Sequence, residues 1–295
     1  MVRNCNDGTR RPPYLRVDLS MGNVGQLPAF SRGPRGQGLE LLETIQAAGY
    51  DGVQGADGAL ARQAGLKATS GARINQVGEA EEIVRKGKDG GFDCITAHVA
   101  WGLESDAEVD ALVRDILQTC ARHDYPIYIE THRATITQDP WRTLQLVKRF
   151  PDIRFNGDFS HWYTGCEMVY GDFEAKLETL APVFERVRFL HGRIGNPGSM
   201  QADLGPAPGA AQGKQDYVAH FREMWKRSFT GFLKTAGPGD FICFTPELLP
   251  ADIYYARLVP DGAGGWHEES DRWEQALVLT HIAREAFAAA QKENG

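Results

Sequence analysis

The chain has 295 residues, 42% of them hydrophobic, and a formal net charge of −7. That length accommodates one large α/β barrel as readily as two ordinary domains, and the acidic balance argues against broad nucleic-acid binding, which needs a basic footprint to meet phosphates. The five scattered cysteines form no CxxC pair and suggest neither a disulfide framework nor a zinc knuckle, so a reducing cytoplasm fits best; no run of about 18 apolar residues predicts a membrane span, and nothing apolar follows the basic amino terminus to predict a signal peptide.

Residues 1–13 read as a loose tail and 14–295 as one domain. From Tyr14 onward, short β-rich runs alternate with longer stretches of helical periodicity, the pattern of parallel βα units. "YLRVDLS" (14–20) opens the series and is followed by the helical "GLELLETIQAAG" (38–49). "GVQGA" (52–56) and "KATSG" (67–71) come next, with a helix over 78–91 behind the second. "CITAHVA" (94–100) precedes a helix over 105–124, whose Ser105 stands as a cap before an acidic first turn. "PIYIETH" (126–132) leads to a helix at 139–150 opened by Asp139 and by proline at the first helical position. "IRFNGDF" (153–159), "VRFLHGR" (187–193) and "DFICFTPE" (240–247) complete eight strands, with helices over 172–187 and, capped by Asp271, over 271–294. Eight such units predict a single (β/α)8 TIM barrel; the alternative is a doubly wound open sheet.

Two stretches interrupt the alternation. Residues 192–215 follow the seventh strand and 248–270 the eighth. Connections this long are uncommon in a compact barrel unless functional, and both read as lids over the mouth, where barrel active sites are built.

Four strands carry an acidic or imidazole residue near the carboxyl end: Glu130, Asp158, His191 and Glu247. A barrel gathers consecutive strand ends around one mouth, so positions about 30 to 55 apart in sequence can converge. Singly, each reads as a solvated carboxylate or a hydrogen-bonded histidine; their recurrence on the fifth to eighth strands gives them weight. Three carboxylates in a partly buried mouth raise one another's pKa values unless a cation sits among them. A divalent ion meets that need. Three oxygen donors and one imidazole favour Mn2+, and Mg2+, Co2+ and Zn2+ are compatible with the same set.

The segments "IETHR" around Glu130, "GDFSH" with Asp158 and His161, "LHGR" with His191 and Arg193, and "TPEL" around Glu247, together with "AAGYDGVQG" (47–55), carry a resemblance. Across essentially its whole length the chain resembles the xylose isomerase-like TIM-barrel superfamily, which includes sugar isomerases and epimerases, inosose dehydratases and the endonuclease IV branch. The resemblance implies that Glu130, Asp158, His191 and Glu247 bind one divalent metal. It also implies that Glu130 and Glu247 flank the substrate as catalytic bases, one removing a proton beside a carbonyl and the other returning one. By the same resemblance His161 would hydrogen-bond a substrate oxygen and Arg193 would offset charge on the enediolate. The alternatives are that His161 orients Asp158 and that Arg193 pairs with a carboxylate. Gln54 stands where many relatives have an acidic residue, so no catalytic carboxylate is expected from the second strand. The extra ligands of a trinuclear DNA-repair site are missing.

Aromatic residues in the predicted mouth loops, Trp101 and Trp162 among them, suit stacking on a sugar or cyclitol ring, and equally suit packing of lids. His98 and His132 are candidates to bind substrate hydroxyls. "GRIGNPG" (192–198) reads as a tight turn more than as a phosphate cradle, so an unphosphorylated keto-sugar or polyol is expected. The leading expectation is a metal-dependent sugar isomerase or epimerase; a lyase of the inosose-dehydratase or C-glycoside-deglycosidase type comes second, and a non-catalytic sugar-binding barrel third. Neither nucleic acid nor membrane is an expected partner, and a homo-oligomer such as a dimer is compatible with amphipathic outer helices.

Overall fold

The computed structural model describes residues 2–205 and 217–294. Eight parallel strands form a closed barrel: β1 (Tyr14–Ser20), β2 (Gly52–Gln54), β3 (Lys67–Ile74), β4 (Ile95–Val99), β5 (Ile127–Glu130), β6 (Phe155–Gly157), β7 (Val187–Gly192) and β8 (Asp240–Pro246). Each pairs in register with the next, and β8 returns to β1 through Tyr14 opposite Phe241 and Val17 opposite Phe244. Closure removes every sheet edge, which is why strands as short as the three residues of β2 and β6 are stable.

Nine α-helices among the described residues surround the barrel. Helix α4 (Asp106–His123) begins with a complete capping box, the Ser105 hydroxyl accepting from Glu108 N while the Glu108 carboxylate accepts from Ser105 N. Helix α5 (Pro140–Arg149) begins on Asp139, whose carboxylate accepts from Arg142 N, and Asp271 does the same for Trp273 N at the start of α9 (Arg272–Asn294). Three helices went unpredicted: α2 (Gly58–Gln63) and α6 (Ser160–Gly165), each under two turns, and α8 (Tyr217–Leu233). The last follows directly on the long segment after β7, whose Gly and Pro content masks its periodicity.

The amino terminus corrects the expectation of a loose tail. Cys5–Asn6 pairs antiparallel with Phe241 and Asp240 of β8, and Val2 and Cys5 are buried. The foot of the barrel needs this cover. Tyr128, inward on β5, donates its hydroxyl to Arg3 O, and Arg188 on β7 donates its Nε to Asn4 Oδ1, so the returning chain supplies an acceptor to each of these buried groups. Above them Arg16 makes a bidentate pair with Asp18, at 2.9 and 2.7 Å, and also reaches Asp93.

Of the two expected lids, residues 206–216 of the first lie outside the described residues. Its described part is packed: Gln201 exchanges amide hydrogen bonds with Leu249 N and O, and Leu204 N donates to Gln275 on α9. The segment after β8 folds into a two-stranded hairpin, Leu258–Pro260 against Trp266–Glu268. No helix among the described residues is long and apolar enough to cross a membrane.

Candidate active site

The carboxyl ends of β5 to β8 bring the four expected donors together. Glu130 is the last residue of β5, Asp158 follows β6, His191 lies on β7 and Glu247 follows β8; one ligand atom from each lies within 4.8 Å of every other. Glu130, Asp158 and His191 are buried, and the Glu247 side chain keeps 17% exposure. A register shift at Phe155/Asn156 turns the end of β6 so that Asn156 and Asp158 both face the cluster. Gly192 is required beside His191, because a Cβ there would stand 2.1 Å from the Phe244 ring.

His191 is held at both ring nitrogens. Asn156 Oδ1 accepts from His191 N at 3.1 Å, which leaves Asn156 Nδ2 to donate to Glu130 Oε2 at 2.9 Å and to His191 Nδ1 at 3.0 Å. On the other side His191 Nε2 donates to Gln54 Oε1 at 2.8 Å, and Gln54 Nε2 donates to Thr96 Oγ1. These amides place a ring proton on Nε2, so that the neutral form of the imidazole carries its lone pair on Nδ1. That nitrogen faces Glu130 Oε2 at 3.3 Å and Glu247 Oε2 at 3.6 Å. Burial opposes a charge on His191, but Glu247 and Glu130 outweigh it and raise the imidazole pKa to about 9. The position therefore attracts positive charge.

Asp158 is enclosed. Its Oδ1 accepts from Ser160 N and Ser160 Oγ, and its Oδ2 meets Arg193 Nη2, with His161 Nε2 at 3.4 Å. Burial pushes the Asp158 carboxyl up, yet Arg193 and His161 more than offset it and hold the group well below the usual range. Arg193 also reaches Glu247 Oε2 at 3.3 Å and donates to His161 Nε2 at 3.2 Å. A guanidinium only donates, so His161 accepts at Nε2 and is neutral; burial, the largest influence on it, lowers its pKa as well. The rings of His98, His132 and His161 form a row with centroids 4.1 and 3.8 Å apart. His132, whose pKa burial and the neighbouring His161 push down to about 3, also meets the Tyr255 hydroxyl.

A cleft of about 460 Å³ opens on the opposite side of the cluster. Glu130, His191 and Glu247 lie at one wall; Ser20, Gln54, Arg73, Thr96 and His98, from β1 to β4, form much of the rest. Five of the six expected substrate-binding residues do not line this cleft. His161, Arg193 and His132 bond within the cluster, which matches the orienting and charge-pairing alternatives for the first two. Trp162 is a correction: it is buried on α6, where its indole N–H donates to Thr137 O, because the turn after β6 winds inward as a helix and carries the ring into the core. His98 does line the cleft and meets Glu130 Oε1 at 3.0 Å, and Trp101, 55% exposed, stands at the rim beneath the Arg73 guanidinium. Asn156 and Gln54 are the positioning residues that the strand pattern alone did not single out; Asn156 shares the face of Asp158 two residues on, whereas Gln54 lies on a strand without a donor.

No family model matches this sequence, and no curated protein matches it. Solved structures do. A xylose isomerase-like TIM-barrel protein from Mycobacterium smegmatis, in complex with magnesium, superposes with a TM-score of 0.52 at 11% identity, covering 96% of this chain and 98% of that one. The probable 3-DHS dehydratase AsbF of Bacillus anthracis, involved in petrobactin synthesis, gives 0.50 at 15% identity over 81% and 94%. The chain has the xylose isomerase-like TIM-barrel fold.

In this xylose isomerase-like barrel the donor set fits a divalent ion on its own chemistry. Three carboxylates share the cluster with one guanidinium, Arg193, which pairs with Asp158 and Glu247; that leaves two negative charges to be met in a largely buried site. The Nδ1 lone pair of His191 is turned toward the carboxylates, and its other nitrogen is satisfied by Gln54, the arrangement by which proteins orient a histidine ligand.

Proposed function

We propose that the cleft is the active site of a divalent-metal-dependent sugar isomerase or epimerase, with Mn2+ as the favoured ion, acting on a keto-sugar or polyol-derived substrate. The observation that carries this reading is the convergence of Glu130, Asp158, His191 and Glu247 beside an open cleft. These four residues would hold the ion, which would supply polarisation of the substrate carbonyl. Glu247 is the residue placed to remove the adjacent proton: it lines the cleft, retains exposure, and is held by Arg193 on its far side. Thr96 and Gln54 offer hydrogen-bonding groups to hydroxyls along the wall.

One observation favours a lyase as the second reading. Both oxygens of Glu130 are engaged, Oε1 by His98 and Oε2 by Asn156, so Glu130 is a poorer second base than Glu247. Elimination needs one base beside the carbonyl, which Glu247 supplies, and returns no proton to carbon, so a second free base is not required. The probable dehydratase AsbF, which shares this fold, agrees with such chemistry.

Metal analysis of the purified protein, followed by proton NMR of keto-sugars and keto-polyols in deuterated water, tests the proposal. Solvent exchange at the carbon beside the carbonyl is expected with Mn2+ present and lost in Glu247→Gln. A new alkene resonance would select the lyase. Ligand binding without any exchange, unchanged in Glu247→Gln, would overturn both in favour of a binding protein.

A further inference from the structure

We propose that Arg73, seated on Trp101, is a carboxylate-binding subsite, so that the substrate of the cleft is a hydroxylated acid and not a neutral sugar; this deepens the functional reading above and rests on it. Arg73 lies on β3 opposite His98 of β4 and lines the same cleft as Glu130 and Glu247. Its guanidinium is held on three sides. Nη1 donates to Ala100 O at 2.6 Å, Nη2 donates to His98 Nδ1 at 3.4 Å, and Cζ lies 4.1 Å from the centre of the Trp101 ring.

The platform is itself built. Ala100 is buried with φ at 53°, a left-handed backbone uncommon for a residue with a side chain, and its carbonyl accepts from Arg73. Trp101 N and Gly102 N both donate to the Glu104 carboxylate, and the Gln138 amide donates to Gly102 O. Yet the charge held there has no counter-ion. Arg16, Arg193 and Arg272 each meet a carboxylate, whereas Arg73 has no carboxylate partner among the described residues. Two hydrogen bonds occupy two of its five N–H donors.

A pre-oriented guanidinium with spare donors matches the planar, bidentate geometry of a carboxylate. The cleft lining contains no lysine and no second arginine, so a phosphate dianion would be poorly neutralised there. The His98 ring bridges the subsite to the donor cluster. It accepts from Arg73 at Nδ1 and therefore donates from Nε2 to Glu130, placing the anchor of the substrate one imidazole away from the reacting end.

Calorimetric titration of the Mg2+-supplemented full-length protein with D-gluconate and D-glucitol tests this, because the two differ only in a carboxylate replacing a terminal hydroxymethyl group. Gluconate is expected to bind at least ~10-fold tighter. In Arg73→Gln the preference should fall to about twofold or less with glucitol affinity unchanged, and Arg73→Lys, which keeps charge without the fork, should retain part of it. Equal affinities, no saturable gluconate binding, or a preference that survives Arg73→Gln would overturn the subsite, the last by placing the carboxylate on the metal ion. Gluconate has no ketone to enolise, so its binding is read independently of turnover. In the parent protein, equal affinities with solvent exchange intact defeat the subsite alone, and absence of exchange with the preference intact defeats the catalytic reading alone.

Discussion

Strands β5 to β8 end in side chains that bond one another, whereas β1 to β4 line the cleft with Ser20, Gln54, Gly71, Ala72, Arg73 and Thr96, which leave room between them. The β5 to β8 half carries every donor of the candidate metal site and belongs to the large hydrophobic core running through α4, α5, α7 (Phe173–Phe184), α8 and most of α9. In the β1 to β4 half, Val17, Leu19, Val53 and Ala68 rest on a smaller core backed by Leu42 and Ile45, and Ile74 and β4 join the large one. The difference divides the labour: one half fixes charge in a rigid, desolvated network, and the other shapes space for a ligand.

Substitutions on the two halves should therefore fail in different ways, and the largest contrast is in chemistry. Glu247→Gln keeps size and removes the base, so solvent exchange into a turned-over substrate should fall by roughly 10³–10⁴-fold, about 4–5.5 kcal/mol of barrier. Thr96→Val on the opposite wall removes one hydroxyl from the Gln54 hydrogen bond and should cost about tenfold or less. Equal losses from both would erase the division.

Stability should separate the arginine of the cluster from the arginine of the cleft next. Arg193 is 1% exposed and balances Asp158 and Glu247, so Arg193→Met strands buried carboxylates and should lower unfolding free energy by about 3–5 kcal/mol in urea titrations. Arg73 has no ion-pair partner to strand among the described residues, and Arg73→Met should stay within about 1 kcal/mol of the parent protein.

The same contrast explains what could be read from the sequence. All eight strands and the four donors were legible because buried parallel strands are continuous apolar runs, against which Glu130, Asp158, His191 and Glu247 stand out. The wall was not, because Gly71, Ala72 and Thr96 matter for the space they leave, and absence of bulk has no sequence signature. Trp162 misled for a related reason: an aromatic after a strand end looks like a mouth residue until the turn is known to coil inward as α6. The amino-terminal residues were likewise unreadable alone, since Arg3 O and Asn4 gain their roles from Tyr128 and Arg188, more than a hundred positions away.

Metal addition should act through one half only. At an ion concentration about 100 times the dissociation constant, binding to the folded state alone adds about 2.7 kcal/mol of stability. Parallel urea titrations with Mn2+ and with a chelator should show that gain in the parent protein and in Arg73→Gln, and lose most of it in Asp158→Asn. A gain that persists in Asp158→Asn would place the ion elsewhere.

The smallest predicted effect lies at one of the places where the halves touch. Gln54 reaches from β2 across the mouth to His191 Nε2, and Thr96 fixes which way its amide points, so an open-wall residue selects the tautomer of a donor on the closed side. Gln54→Leu removes that acceptor but leaves Asn156 on the other nitrogen, so His191 should keep its place and lose only part of its bias toward an Nδ1 lone pair. The expected consequence is about tenfold weaker Mn2+ binding by electron paramagnetic resonance titration, near 1.4 kcal/mol, with an unfolding midpoint close to that of the parent protein in the absence of metal. Unchanged Mn2+ affinity would mean that the β5 to β8 network orients His191 unaided, and that the two halves meet at the cleft without being coupled through it.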